Sequence, residues 1–207
     1  MTDTKNKILY TALDLFSEKG YDAVSVSMIA NAVGVTKGAL YRHYKSKREI
    51  FDRILAVMSD MDYERAKSCD MPSRSYEEAP EEYKNVTEEQ IKRYTLEQFD
   101  YWTKDAFASR FCKMISIERF KSAEIAELYN NYLTLGPVGY MSDIFAGALD
   151  LPFGGEQAYA AALEFYAPFF LLVCADGRLN QAESQAALSG HIDRFFARVF
   201  GSQKVKN

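Results

Sequence analysis

The sequence is poor in the residues that build metal centres and disulfide frameworks. Among 207 residues there are two histidines and three cysteines. Cys69, Cys112 and Cys174 are odd in number, far apart and in no metal-ligand spacing, which favours a reducing compartment. Cys112 and Cys174 lie among apolar neighbours, so we expect both in the core, with a redox-sensing role for a cysteine as the alternative.

Catalytic constellations are also missing from the sequence. His43 and His191 are far apart, and neither belongs to a Ser-His-Asp or Cys-His pattern. Gly154-Gly155 is too little for a phosphate-binding loop. We therefore expect no enzyme, no cofactor and no metal site, and we expect His191 to be a core or interface residue.

Long hydrophobic runs are absent. Met1–Lys7 is polar, and the longest apolar run, Phe165–Ala175, contains Pro168 and is too short to cross a membrane. The sequence therefore predicts a cytoplasmic protein.

Excess positive charge is lacking overall, since the net charge is −4, but the charge is unevenly distributed. Residues 1–67 carry a net charge of +2, and the remainder carries −6. The acidic excess therefore lies outside the N-terminal part, where nucleic-acid binding remains possible.

The stretch 25–48 has the pattern of two short helices around a tight turn. Ser25 can cap the first helix, and Gly34 supplies the turn. Thr36 can cap the second, in which Leu40 and Tyr44 share an inward face. The apolar positions of the first helix are Val26, Ile29, Ala30 and Val33. This is a helix-turn-helix pattern.

The second helix and its flank are strongly basic. Residues 36–48 contain no acidic residue and five cations, namely Lys37, Arg42, Lys45, Lys47 and Arg48. Such a face suits the phosphates of duplex DNA, with the second helix in the major groove. An ordinary helical hairpin with a solvated charged face is the alternative.

Helices are predicted on both sides of this motif. Apolar spacing and a terminal Gly20 indicate a first helix from about Thr4 to Lys19. Ser46 and Glu49 form an S-x-x-E capping box that opens a helix extending to about Lys67. That long helix is a natural lever between the DNA-binding part and the rest of the chain.

The first 60 residues resemble the N-terminal domain of TetR-type transcriptional regulators. The resemblance is carried by Ala12, Leu15-Phe16, Lys19-Gly20-Tyr21, Ile29-Ala30, Gly34-Val35, Leu40-Tyr41, His43-Tyr44, Ser46-Lys47 and Ile50-Phe51. It implies a DNA-binding domain followed by a divergent helical domain that dimerises and usually binds a small effector. Ser25-Val26-Ser27 departs from the threonine and basic residue that often open the second helix of that family.

The resemblance and the basic face together give the predicted DNA contacts. They are Ser25 and Ser27 from the first helix of the motif, Thr36, Lys37, Gly38, Tyr41, Arg42 and His43 from the second, and Lys47 as a phosphate contact.

The rest of the chain shows helical periodicity and no alternating strand pattern. Residues 68–86 are polar and acidic and read as a connection. Thr87 and Gln90 form a capping box, a break is predicted at Gly136-Pro137, and 151–155 is a loop. Two strong helices close the chain, at about 156–175 and 182–200. The predicted fold is all-α, with a helix-turn-helix domain at 1–48, its linking helix at 47–67, the connection at 68–86 and a helical domain at 87–207.

The two closing helices have wide apolar stripes, which predict a homodimer through a four-helix bundle. The candidate interface residues are Ala158, Ala162, Phe165, Leu188, Ile192, Phe195, Phe196 and Val199. A core within one chain is the alternative interpretation of the same stripes.

The middle helices are rich in aromatic residues and predict an effector pocket. The candidates are Trp102, Phe107, Phe111, Met114, Tyr132, Tyr140, Phe145, Tyr166 and Phe169. Arg110, Lys113 and Arg119 are candidate partners for an anionic effector. The predicted function is a repressor that a small effector releases from a palindromic operator. A DNA-bound regulator or architectural factor without an effector is the alternative.

Overall fold

The computed structural model describes residues 3–68, 70–175 and 180–201. These ranges contain eleven helices and no strand, which confirms the all-α prediction. The helices are α1 Asp3–Lys19, α2 Val26–Val33, α3 Lys37–Tyr41, α4 Lys47–Ser68, α5 Pro80–Lys84, α6 Glu88–Lys104, α7 Ala106–Glu118, α8 Ala123–Leu133, α9 Leu135–Ala148, α10 Glu156–Cys174 and α11 Gln181–Val199.

The predicted capping box at the start of α6 is present. Thr87 Oγ1 accepts a hydrogen bond from the Gln90 N–H at 3.2 Å, and Gln90 Oε1 accepts one from the Thr87 N–H at 2.9 Å. Each side chain therefore satisfies a backbone N–H of the other residue, which is how this box fixes a helix start.

The predicted break at Gly136-Pro137 was misplaced by two residues. The interruption falls at Thr134, and Gly136 and Pro137 lie in the first turn of α9. Proline is tolerated there because the first N–H groups of a helix have no acceptor within it.

The polar connection 68–86 contains the short helix α5. Its Tyr83 is buried and lies so close to Gly147 of α9 that a Cβ on Gly147 would approach Tyr83 atoms to 2.7 Å. The Tyr83 hydroxyl also donates to the Arg74 carbonyl at 2.7 Å. This part of the connection is therefore folded against α9.

The chain divides into two compact units. Unit 1 comprises Met1–Glu64 and Lys104–Tyr129, and unit 2 comprises Arg65–Thr103 and Asn130–Asn207. The domain boundaries predicted from the sequence, at residues 48, 68 and 87, stay a prediction. The packing adds one feature that they lack, since 104–129 folds together with the N-terminal helices.

Unit 1 has a small core beneath the helix-turn-helix. α1 packs against both α2 and α7. The fully buried side chains of unit 1 include Ile8, Leu13, Phe16, Ile29, Leu40, Tyr44, Ile50 and Phe111. Segment 104–129 therefore supplies part of the core on which the two short helices rest.

Unit 2 has an aromatic core between α9, α10 and α11. The ring of Phe165 lies 5.4 Å from that of Phe145, 5.0 Å from that of Phe195 and 5.9 Å from that of Phe196. His191 lies beside them, with Nε2 3.2 Å from the Phe165 carbonyl oxygen. Ring pairs at these distances add to the stabilisation from apolar burial.

The cysteine prediction was wrong for Cys174. Its side chain is exposed near the end of α10, and Cys112 is half-buried rather than enclosed. Apolar neighbours in sequence point in all directions around a helix, so they do not determine which face carries the thiol. Cys69 lies outside the described residues.

Candidate nucleic-acid interface

The helix-turn-helix is built by local backbone devices that the sequence predicted. Ser25 Oγ accepts the Met28 N–H and Thr36 Oγ1 accepts the Ala39 N–H, each at 3.1 Å. Gly34 ends α2 in the left-handed region, with φ +80°. Two caps and one glycine therefore determine where each helix begins and how the chain turns between them.

Burial of one side of α3 orients the other side outward. Leu40 and Tyr44 are buried, and the Tyr44 hydroxyl lies 3.4 Å from the Lys5 carbonyl of α1. α3 is only five residues long, with Arg42 as its C-cap and His43 in the turn that follows. The predicted inward face is confirmed, but the regular helix ends before Arg42.

The predicted contact residues of this motif lie mostly on the surface. The exposed ones are Ser25, Ser27, Thr36, Lys37, Gly38, Tyr41 and Arg42, while His43 is half-buried. Lys37 Nζ lies 5.9 Å from the centre of the Tyr41 ring. The arrangement presents hydroxyl, aromatic and cationic groups on one short element, which is what a groove-reading surface needs.

Lys47 has a structural role besides its predicted contact with phosphate. Its ammonium donates to the carbonyls of Tyr21 at 2.7 Å and Val24 at 2.9 Å, and lies 4.0 Å from the centre of the Tyr21 ring. An ammonium has three hydrogens, so one remains for another acceptor. Lys47 thus clamps the loop that precedes α2.

Arg48 is held by carboxylates. Its Nη2 and Nη1 donate to Glu124 at 2.6 and 3.1 Å, and its Nε donates to Asp52 at 2.6 Å. Hydrogen bonds to Glu124 and then Asp52 raise the pKa of the guanidinium. The exposed cations of segment 36–48 that remain are Lys37, Arg42 and Lys45.

Glu118 and Glu124 are the site residues that sequence reasoning missed. Glu118 Oε1 accepts the Tyr21 N–H at 2.9 Å across 97 residues of chain. Both glutamates lie on helical segments where an acidic residue is normally solvated, so no local pattern marks them. Only the packing of 104–129 beside the N-terminal helices reveals their partners.

The structure divides the candidate pocket residues between the two units. Phe107, Phe111 and Met114 are buried in the core of unit 1, where Phe107 lies 5.5 Å from Tyr10. The other six, Trp102, Tyr132, Tyr140, Phe145, Tyr166 and Phe169, belong to unit 2.

The candidate cations for an anionic effector belong to unit 1. Arg110 pairs with Asp14, and Arg119 stacks on Phe120 and Tyr129 at 4.5 and 4.2 Å. Lys113 is exposed on α7. These three cations therefore belong to a different unit from the six remaining aromatic candidates.

The candidate interface residues are mostly core residues of a single chain. Ala158, Ala162, Phe165, Leu188, Ile192, Phe195 and Phe196 are buried, and only Val199 is partly exposed. The alternative interpretation of the apolar stripes is therefore correct for seven of these eight side chains. They cannot meet a partner because α9, α10 and α11 already enclose them.

Other residues form the outward faces of the two closing helices. On α10, Ala160, Leu163, Ala167, Leu171 and Cys174 are exposed at spacings of three and four. On α11, the outward residues at the same spacing are Glu183, Ala186, Ala187, Gly190, Arg194 and Ala197. Residues three and four apart share a helix face, so α10 presents an apolar stripe and α11 one rich in small residues.

Comparisons with known proteins agree with the helix-turn-helix. Residues 8–54 match the family model described as bacterial regulatory proteins, tetR family. The HTH-type transcriptional regulator AcrR of Shigella flexneri is 46% identical over 52 residues, which are 25% of this chain and 24% of AcrR. The biofilm operon icaADBC HTH-type negative transcriptional regulator IcaR of Staphylococcus aureus (strain Newman) is 41% identical over 56 residues, 27% of this chain and 30% of IcaR. The chain thus matches only 24% and 30% of the length of these two curated relatives.

Solved structures share the fold over nearly the whole chain. A TetR-like transcriptional regulator from Rhodococcus sp. RHA1 has a TM-score of 0.67 at 16% identity, covering 95% of this chain and 97% of that one. The complex of SmeT, from Stenotrophomonas maltophilia, with triclosan has a TM-score of 0.58 at 19% identity, covering 94% and 90%. The shared fold and the matched segment agree on an all-helical chain with an N-terminal helix-turn-helix. Residues 8–54 thus match the tetR family model, and for this segment the resemblance seen in the sequence is confirmed.

Proposed function

We propose that this protein is a sequence-specific DNA-binding repressor. The observation that carries the proposal is the exposed, acid-free face from Thr36 to Lys45, placed on a capped helix-turn-helix. Support comes from the two relatives, a transcriptional regulator and a negative transcriptional regulator, and from the family model, whose matched residues 8–54 include this face. Because the match covers only the N-terminal part, the activity of the whole chain rests on this proposal.

Each exposed group has a suitable role on duplex DNA. Lys37 and Arg42 provide charge for phosphates or guanine edges, and Tyr41 offers an aromatic ring and a hydroxyl. Gly38 has no side chain and lets the backbone of α3 approach the groove. Ser27 and Thr36 supply short hydroxyls for phosphate oxygens.

Selection from random duplexes tests this function directly. The purified chain is incubated with a duplex library at fixed salt, and the retained sequences are read. An enriched palindrome supports a dimeric sequence-specific regulator, since paired helix-turn-helix motifs read half-sites about one helical turn apart. Retention without enrichment contradicts sequence-specific binding and favours an architectural factor.

Substitution of Arg42 distinguishes DNA binding by this face from binding by any exposed positive charge. Arg42→Ala should weaken binding to the selected duplex and reduce the slope of log affinity against log salt by about 0.9 if the guanidinium contacts one phosphate. Lys113→Ala removes an exposed cation of α7 in the same unit and is the matched control, with unchanged affinity and slope expected.

A second copy of this chain is the proposed occupant of the outward faces of α10 and α11. α10 is long and apolar enough to span a membrane by length and composition, yet only 22% of its most apolar stretch is buried within the chain. A two-fold partner would cover this stripe, and Ala186, Gly190 and Ala197 of α11 would permit close approach of helices. Two half-sites on DNA also require such a pair.

The oligomeric state tests this interface. Leu171 is 69% exposed, so Leu171→Glu should leave the fold of one chain intact and convert the dimer to monomers in sedimentation velocity. Leu135→Glu changes a leucine of α9 that is similarly exposed and serves as the control, with dimers retained. Persistence of the dimer in the Leu171→Glu variant would remove this face from the interface.

We further propose that a small effector binds in unit 2 and releases the DNA. SmeT, a repressor of the same fold, has been solved in complex with triclosan. In this chain Trp102 lies 5.4 Å from Tyr101 and 6.3 Å from Tyr132, which gives an aromatic group within unit 2. An effector that couples to DNA binding by 1–3 kcal/mol would change the affinity for the operator by about 5- to 150-fold. As a repressor of chromosomal operators the protein would act in the cytoplasm.

Arg65 supplies the polar anchor that this aromatic group needs. Its guanidinium carbon lies 3.9 Å from the centre of the Tyr101 ring, and its Nε and Nη2 are buried without a hydrogen-bond partner among the described residues. Buried guanidinium donors favour a carboxylate. Benzoate should therefore raise the melting temperature of the wild-type chain, whereas benzamide and the variant Arg65→Met should show no shift.

A further inference from the structure

Two side chains hold the loop that leads into the helix-turn-helix. The Tyr21 N–H donates to Glu118 of α7, and the Tyr21 carbonyl accepts from Lys47 of α4. The same ammonium also holds the Val24 carbonyl, directly before the Ser25 cap. The backbone entering α2 is therefore fixed by one carboxylate and one ammonium.

Glu118 is an unusual group for this position because it is a carboxylate that is only 5% exposed. Besides the Tyr21 N–H, its Oε1 accepts from Lys121 Nζ at 3.0 Å. Gly20 has φ +81°, and a Cβ there would lie 2.7 Å from Glu118 Oε1. A glycine is needed both for the turn and for the approach of this carboxylate.

A second carboxylate holds the far side of the motif. Glu124 at the start of α8 binds the Arg48 guanidinium through two hydrogen bonds, and Arg48 lies in the first turn of α4. The hydrogen bond to Arg48 lowers the pKa of the Glu124 carboxyl. Bidentate pairs of this kind fix orientation as well as distance.

The two glutamates are six residues apart and grip the chain on both sides of the helix-turn-helix. Glu118 acts at Tyr21, before α2, and Glu124 acts at Arg48, after α3. We propose that Glu118 and Glu124 form a carboxylate latch that positions α2 and α3 for DNA binding. This inference rests on the proposed function, and the glutamates are positioning residues, since they act through Tyr21 and Arg48.

Segment 104–129, which carries both glutamates, could link unit 2 to the position of the helix-turn-helix. Segment 104–129 belongs to unit 1, and the chain on either side of it, at Thr103 and Asn130, belongs to unit 2. α8 and α4 each run from unit 1 into unit 2 as continuous helices, and Arg48 ties their first turns together. A rearrangement of unit 2 would therefore bear on the latch through the backbone.

Amide hydrogen exchange on the full-length chain is the first arm of the test. Glu118→Leu keeps the side-chain size but leaves the Tyr21 N–H without its acceptor, and exchange across residues 21–35 should accelerate about 10-fold. Glu118→Gln keeps an oxygen that can accept this N–H and should restore protection. Glu127→Ala removes an exposed glutamate of α8 one turn from Glu124 and should behave as wild type.

Affinity for the selected duplex is the second arm. Glu118→Leu and Glu124→Ala should each weaken binding about 10-fold with an unchanged salt slope, because positioning is lost but no phosphate contact is removed. Wild-type affinity and protection in both variants would overturn the latch. Tighter binding by Glu124→Ala with a slope steeper by about 0.9 would also overturn it, because Glu124 would then compete with phosphate for Arg48.

The two arms separate this inference from the proposed function. If the wild-type chain enriches no duplex, the proposed function fails and DNA positioning fails with it, whatever the exchange rates show. If the wild-type chain binds normally and the variants match it, only the latch fails. Recovery by Glu118→Gln in both arms would support a role of the hydrogen bond rather than of bulk packing.

Discussion

The two outward surfaces of this protein are built in opposite ways. The surface of α2 and α3 is polar and basic, and it is carried by helices of eight and five residues. The outward surface of α10 has an apolar stripe and that of α11 is rich in small residues, and the two helices that carry it have 19 residues each. The first is shaped by caps, a turn glycine and neighbouring ion pairs, whereas the second rests on an aromatic core.

This difference suits two kinds of partner. A hydrated, charged duplex is read by a few groups whose direction must be fixed, so short capped helices held from both sides are sufficient. The proposed second copy of the chain would be bound mainly by covering apolar area, which long helix faces provide. Substitutions in the residues that hold one surface in place should therefore affect that surface and leave the other intact.

The largest effect on stability is expected from a substitution in the aromatic core beneath the α10–α11 surface. Phe165→Ala removes a ring that contacts Phe145, Phe195 and Phe196, and should lower the free energy of unfolding by about 3–5 kcal/mol. Urea denaturation at several protein concentrations measures it. Leu171→Ala, on the outward face, is the control and should leave the unfolding of the separated monomer nearly unchanged. A small effect of Phe165→Ala would contradict its place in the core.

The next effect concerns the turn between α2 and α3. Gly34 has φ +80° and open space around an added Cβ, so Gly34→Ala should cost about 1–2 kcal/mol from backbone strain alone. The matched change is Gly38→Ala within α3, where a Cβ also meets open space.

Gly38→Ala should stabilise the fold by roughly 0.5–1 kcal/mol, since alanine favours a helix, yet weaken binding to the selected duplex. Thermal unfolding measures the stability of both variants, and titration with the selected duplex measures their DNA affinity. Equal DNA affinity for Gly38→Ala and wild type would show that α3 does not approach the groove at this position.

A cap and a neighbouring hydroxyl provide a finer separation. Thr36→Ala removes the acceptor of the Ala39 N–H and should cost about 1 kcal/mol of stability. Ser27→Ala changes an exposed hydroxyl of α2 and should stay within about 0.5 kcal/mol of wild type. Both should weaken binding to the selected duplex, and only Thr36→Ala should shift the melting temperature. Similar shifts for both would argue against the cap.

The contrast also explains how much of the molecule could be predicted from sequence. Ser25, Gly34, Thr36 and the pair Thr87 and Gln90 act on backbone within three residues of themselves, so their patterns identified the helix starts and the turn correctly. Most of the helical architecture follows from such local signals together with apolar periodicity, apart from α5 and the start of α9.

Long-range features escaped the same reasoning. Periodicity shows that Phe165 and Phe195 lie on an apolar face, but it cannot tell a core within one chain from an interface between two. Glu118, Lys47 and Arg48 each have a partner that is far away in the sequence, so their roles depend on tertiary packing. The outward stripe with Leu171 is visible only once the inward stripe has been assigned.

The smallest effect is expected at Asp143, away from both surfaces. Burial and then Glu77 raise the pKa of its carboxyl. A carboxyl with a raised folded-state pKa binds its proton more tightly in the folded chain, so its contribution to stability falls as the pH rises through that pKa. Asp143→Asn mimics the protonated form and should stabilise the chain at pH 7 by a few tenths of a kcal/mol, the attenuated value expected for a partly exposed group.

The pH dependence gives this prediction its sign. The difference between Asp143→Asn and wild type should vanish below the ordinary aspartate pKa of about 3.9, where both states of the wild-type chain are protonated. Urea unfolding at pH 7 and at the lowest pH where the chain stays folded measures it. Glu77→Gln should recover part of the same gain, because it removes the neighbouring charge. Duplex affinity and oligomeric state should not change, since neither surface contains Asp143, and a change in either would mean that the two supports are not independent.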